Sequence, residues 1–149
     1  MKHIDLNFKQ SLKIGNKREK YVKDYFEEDY DFIQYNDNYE YDLLFYKNQR
    51  QLLVEVKYDD MMLKTNNFAI ECYSRGKISG IYTTTSDYWI QVDQNNEMYI
   101  IDTIKLRSLC KQREPIQTRC KDSFNKIFLI PKHEYISCSI SKNTFRNII

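Results

Sequence analysis

Residues 41–57, Tyr-Asp-Leu-Leu-Phe-Tyr-Lys-Asn-Gln-Arg-Gln-Leu-Leu-Val-Glu-Val-Lys, constrain the fold of this chain more than any other stretch. Leu43 to Tyr46 and Leu52 to Val56 are apolar runs of strand length, and the polar tetrad Lys47 to Arg50 between them has the length of a hairpin loop. The two runs are expected to pair antiparallel. With the turn centred between Asn48 and Gln49, Asp42 faces Glu55. Facing carboxylates, with Cβ atoms about 5 Å apart, destabilise a sheet, so positive charge is expected between them.

Side chains alternate along a strand, which places Leu53, Glu55 and Lys57 on one face and Leu52, Val54 and Val56 on the other. Lys57 then lies about 7 Å along the strand from Glu55, on the side of the carboxylates. Asp42 followed by Glu55-x-Lys57 has the chemistry of a site for Mg²⁺ and a scissile phosphate.

Upstream, Asn7 to about Phe26 reads as one amphipathic helix, with Asn7 as N-cap, Gln10 at the third helical position, and Phe8, Leu12, Val22 and Phe26 on one stripe. Gly15 and Glu19 complete that stripe. A glycine and a glutamate turned toward the partner give up packing, which points either to a close backbone approach and a working carboxylate or to a Glu19 that pairs with Lys23 in water. Asp31 to Tyr35 is a short alternating strand, and Asn36-Asp37-Asn38 a turn into the hairpin.

Beyond the hairpin, Tyr58 to Asn67 reads as a polar loop over the site, containing Lys64. Phe68 to Tyr73 alternates as a strand with Glu71 on its polar side. Ser74 to Gly80 lacks the first glycine of a phosphate loop, because Glu71 stands there; Arg75 and Lys77 remain candidates for phosphate contacts. A short helix is expected over 78–85, strands over 87–93 and 98–102, a helix over 103–111 with Ile104, Leu106 and Leu109 as its apolar positions, and a strand over 126–130 ended by Pro131. Trp89 is expected in the core.

A chain of 149 residues with thirteen Tyr and only three Gly is expected to form one domain over 1–149, its core at about residues 7–93 and a basic extension over 103–149. Residues 101–149 carry 10 basic and 4 acidic side chains, a candidate phosphate-facing surface. Cys72, Cys110, Cys120 and Cys138 lack metal-ligand spacing and are expected as reduced thiols. With neither a signal-type segment nor a membrane-length apolar run, a soluble, intracellular protein is expected, cytoplasmic or a viral protein in its host.

Glu19 on a helix, Asp42 at the start of a strand and Glu55-Val56-Lys57 on the next resemble the PD-(D/E)XK nuclease superfamily, with Tyr41 where the family pattern writes proline. The spacings are similar to those of archaeal Holliday junction resolvases. Thr65 to Glu71, Lys77 to Gly80 and Asp87-Tyr88-Trp89 resemble small phage-type nucleases of the same superfamily.

The resemblance implies an α/β fold with a restriction-endonuclease-like core: a helix, a mixed central sheet with a three-strand meander, and flanking helices. It implies a Mg²⁺- or Mn²⁺-dependent endonuclease acting on DNA, including junction or branched DNA. Asp42, Glu55 and the Val56 carbonyl would be metal ligands, joined by Glu19 or Glu71, and Lys57 would act on the attacking water. A junction substrate would call for a homodimer. Two alternatives stay open: a noncatalytic nucleic-acid-binding module on the same fold, and an RNA endonuclease.

Overall fold

The computed structural model describes residues 17–36, 40–120 and 123–149. Residues 17–26 form helix α1, which runs into a 3-10 turn at Glu27–Asp29. Val22 and Phe26 are fully buried, as the apolar stripe requires. The earlier positions of that stripe, Asn7 to Gly15, lie outside the described residues.

The meander follows: β1 (Phe32–Tyr35), β2 (Leu43–Lys47) and β3 (Arg50–Tyr58), each antiparallel to the next. Lys47 pairs with Arg50, so the loop is shorter than the polar tetrad and only Asn48 and Gln49 remain in it. Both have positive φ, 53° and 62°, as a type I′ turn demands, and that turn has the twist of the strands it joins. Leu43 faces Val54 and Phe45 faces Leu52, the register that brings Asp42 level with Glu55.

After β3 the expected open loop is instead a short helix, α2 (Met62–Thr65). Its organiser is Asp59, whose carboxylate accepts the N–H groups of Met61 and Met62, each at 3.0 Å. Strand β4 (Asn67–Ser74) buries Phe68, Ile70 and Cys72 and turns through Arg75-Gly76 into the two-residue β5 (Lys77–Ile78). The helix expected over 78–85 is only a 3-10 turn at Gly80–Tyr82. The threonines that follow it are β-branched and stiff at χ1, which disfavours a helix.

β6 (Tyr88–Val92) and β7 (Met98–Asp102) form a second hairpin, and α3 (Thr103–Lys111) starts where the Asp102 carboxylate caps the Ile104 and Lys105 N–H groups. Leu106 and Cys110 face inward, whereas Ile104, expected on the apolar stripe, is 72% exposed. The chain ends with β8 (Ile116–Cys120), β9 (Ser123–Pro131), α4 (Lys132–Cys138) and α5 (Lys142–Arg146).

The strands form two sheets, a mixed five-stranded one ordered β1-β2-β3-β6-β7 and an antiparallel four-stranded one ordered β5-β4-β9-β8. The contact of β3 with β6 is the parallel pair of the first sheet. α1 and α5 cover one of its faces, where Val22, Phe26 and Phe145 meet Phe45, Val54, Val56 and Ile90. The other face carries Trp89 and Ile101, packed against Phe68, Ile70, Leu106, Phe128 and Tyr135 from the second sheet, α3 and α4. Trp89 is therefore core, as expected. The alternation along β3 sends Leu52, Val54 and Val56 into the first core and leaves Glu55 and Lys57 on the Trp89 side. Cys72, Cys110 and Cys138 are free thiols, and no described helix is long and apolar enough to cross a membrane.

Candidate active site

β2 begins at Leu43, level with Val54, while β3 continues to Tyr58, so β3 has an open edge beyond Glu55. A backbone N–H at such an edge needs a partner. The Asp42 carboxylate supplies it, accepting the Val56 N–H at 2.7 Å. A residue in an antiparallel strand turns its N–H and C=O toward the same neighbour, so the Val56 carbonyl is directed into the same gap.

α1 brings Glu19 to this gap. Val22 and Phe26 anchor the helix in the core, and the Arg18 guanidinium lies 4.3 Å from the Tyr58 ring centroid. There the Glu19 carboxyl lies close enough to Asp42 and Glu55 for their charges to act on it. Lys23, the alternative partner of Glu19, pairs instead with Glu27 at 3.1 Å.

Glu55 is 6% exposed. Its Oε1 lies 3.2 Å from the Lys57 ammonium and its Oε2 3.5 Å from the Thr84 hydroxyl. Lys57 itself reaches solvent, with 38% of its side chain exposed, and its ammonium lies 5.8 Å from the Trp89 ring centroid.

The group is electrostatically short of positive charge. Burial, helped by the Asp42 and Glu55 charges, pushes Glu19 up to about 7. Burial also pushes Glu55 up to about 7, against the pull of Lys57 and with the help of Asp42. Asp42 is raised by burial too, although the Val56 N–H and Lys57 oppose it. Burial pulls Lys57 down, but Glu55 and Asp42 outweigh it and hold the ammonium charged.

Four of the residues read from the sequence, Glu19, Asp42, Glu55 and Lys57, thus converge, with Val56 between the last two. Glu71 on β4 is half-buried and adds a weaker upward push on Lys57. Lys64, Arg75 and Lys77 are exposed, the first on α2 and the others at the tip of the β4–β5 hairpin. Among the described residues, no three His, Cys, Asp or Glu side chains are gathered tightly enough to enclose an ion. Asp42 and Glu55 each give an oxygen to a donor of the chain itself, Val56 N–H and Lys57.

Sequence reasoning passed over the loop after β5. Buried Thr84 and Ser86 link their hydroxyls at 2.9 Å beside Glu55. The signal available was the hydroxyl-rich run Thr83-Thr84-Thr85-Ser86, whose three threonines fall at the end of the helix expected over 78–85. Ser86 also borders an open polar cleft of about 440 Å³, lined by Asp87, Asp102, Thr103 and Arg107 among others, which contains none of the converging carboxylates.

No family model and no curated protein matches the chain. Among solved structures, D212, a nuclease from a fusselovirus, aligns over 98% of this chain and 93% of its own, at 12% identity and a TM-score of 0.45. At that level of likeness the function has to be argued from the site's own residues.

Proposed function

We propose that this chain is a divalent-metal-dependent nuclease of the PD-(D/E)XK type that hydrolyses phosphodiester bonds in DNA. The observation that carries the reading is the convergence of Glu19, Asp42, Glu55 and Lys57 at the gap where β2 ends and β3 runs on.

The donor set fits a hard divalent cation. Glu19 and Glu55, which burial and then the neighbouring carboxylate charges make reluctant to ionise, are relieved by a cation that takes oxygen ligands. Asp42, Glu55 and the Val56 carbonyl would hold it, with Glu19 alongside. When bound, Mg²⁺ or Mn²⁺ supplies positive charge at the scissile phosphate and acidifies water there.

The chain's own residues supply the rest. Lys57 would position or help deprotonate the attacking water and offset charge on the phosphate. Its half-open position lets the ammonium meet a substrate while Glu55 holds it from behind. The open edge of β3 admits the sugar-phosphate backbone without reading bases. A preference for DNA over RNA rests on the family resemblance alone.

The test is cleavage of labelled single-stranded DNA, duplex DNA, four-way junction and RNA with Mg²⁺, Mn²⁺ or EDTA, comparing wild type with Glu55→Ala. Metal-dependent cutting of DNA, lost in the variant, is expected. Cutting that survives both EDTA and Glu55→Ala would overturn the reading, and cutting confined to RNA would reassign the substrate.

A further inference from the structure

The loop over residues 79–86 joins parts of the molecule that the hairpin alone leaves unconnected. It crosses β4 at Gly80, which has φ +54° and lies so close to the Glu71 backbone that a Cβ would meet the Glu71 carbonyl oxygen at 2.1 Å. Only glycine can make that crossing. Arg107, from α3, then grips the loop twice: Nε donates to the Ile81 carbonyl at 3.1 Å and Nη2 to the Thr84 carbonyl at 2.6 Å.

Held there, the loop touches both strands of the candidate site. On the β2 side, the Glu40 carbonyl, two residues before Asp42, accepts the Thr85 N–H at 2.9 Å and lies 3.2 Å from the Thr84 hydroxyl and 3.3 Å from that of Thr85. On the β3 side, the Thr84 hydroxyl lies 3.5 Å from Glu55 Oε2. Thr84 is 5% exposed, and its oxygen accepts the Ser86 N–H at 3.2 Å. The Ser86 hydroxyl continues to that of Thr103 at 3.2 Å. The Thr84 hydroxyl has one proton to share among Ser86 Oγ at 2.9 Å, the Glu40 carbonyl and Glu55, and so ties all three together.

We propose that Thr84 and Arg107 are positioning residues for the cation site: Arg107 fixes the loop through two carbonyls, and the loop sets Asp42 and Glu55 relative to each other through Glu40 and Thr84. This rests on the nuclease reading above. Hydrogen-bond partners of metal-binding side chains typically govern about 10- to 100-fold in metal affinity or activity.

The experiment measures Mn²⁺ affinity by calorimetry, DNA cleavage and the thermal midpoint for wild type, Glu55→Ala, Thr84→Val, Thr84→Ser, Arg107→Met and Arg107→Lys. Thr84→Val replaces the hydroxyl by a methyl of similar size, so its fold is expected to hold. Thr84→Val and Arg107→Met are expected to weaken Mn²⁺ binding about tenfold and to lower kcat, with KM for DNA unchanged. Thr84→Ser should restore both, and Arg107→Lys, which cannot fork to two carbonyls, should fall between. A folded Thr84→Val that binds Mn²⁺ and cuts like wild type overturns the proposal, as does a folded Thr84→Ser that rescues neither. If wild type binds no Mn²⁺, or Glu55→Ala binds it equally well, the nuclease reading itself fails and takes this inference with it.

Discussion

Glu55 and Asp59 are two buried carboxylates four residues apart, one within β3 and one just past its end, 6% and 7% exposed. Their surroundings are opposite. Asp59 accepts N–H groups from Met61 and Met62 at 3.0 Å, Ala69 at 3.2 Å and the Gln91 side chain at 3.3 Å. Its charge is spread over neutral donors, and what it does is fold the chain. Glu55 has one ammonium and one long hydroxyl contact, and it faces Asp42. A carboxylate surrounded by amides builds structure, whereas one set against other carboxylates keeps capacity for a cation.

The sharpest separation of the two should come from Lys57→Ala. Cleavage is expected to fall by about 100-fold or more, with Mn²⁺ and DNA still bound. Retained cleavage, measured in single-turnover assays, would remove Lys57 from the reaction. Next in size, Asp59→Ala leaves several donors without an acceptor and should cost about 3 kcal/mol in urea unfolding, while the remaining folded enzyme cuts normally. A loss within the ordinary surface range of about 0.5 kcal/mol would break the contrast.

Asp42→Asn is expected to do the reverse of Asp59→Ala. The amide oxygen can still accept the Val56 N–H, and the repulsion with Glu55 disappears. Stability in EDTA should therefore rise by about 0.5 kcal/mol while cation affinity falls. Calorimetric scans with and without Mn²⁺ read both, and a gain in Mn²⁺ affinity would contradict the site.

A further contrast concerns pH. Glu55 and Glu19 are raised from 4.5 to about 7 in the folded chain, so between these values the unfolded chain loses protons that the folded chain keeps. Metal-free stability is thus expected to fall as pH rises through that window. Thermal midpoints of wild type and Glu55→Gln in EDTA should converge toward pH 4.5 and separate toward pH 7, with the variant the more stable. Parallel curves would show that Glu55 is not the group responsible.

What could be read along the chain was what depends on near neighbours. The period of two along β3 placed Leu52, Val54 and Val56 in one core and Glu55 with Lys57 on the other side, and the short turn set the register opposite Asp42. The helical period put Glu19 three residues before Val22, hence on the inward side of α1. The bounds of α3 over 103–111 were legible, but not its rotation: Leu106 and Cys110 turn inward and leave Ile104 outside.

Other features depend on distant chain and left no such mark. Asp59 in a polar stretch looks like any loop acid until Ala69 and Gln91 fold onto it. The run over 83–86 has no period that announces a partner for Glu55, and Arg107 is one basic residue among 23 until α3 docks against that loop. Strand β8 is largely polar, and α4 and α5 are too short to show a stripe.

The sequence by itself determined the hairpin, its register and the identity of the acids and the lysine, because turn chemistry and strand alternation act over a few residues. Only the tertiary structure decided that β2 stops while β3 runs on, that Glu19 closes the resulting gap, and that a loop held from α3 grips both strands. Those depend on where remote elements pack, and burial at that junction is also what moves the carboxylates toward neutrality.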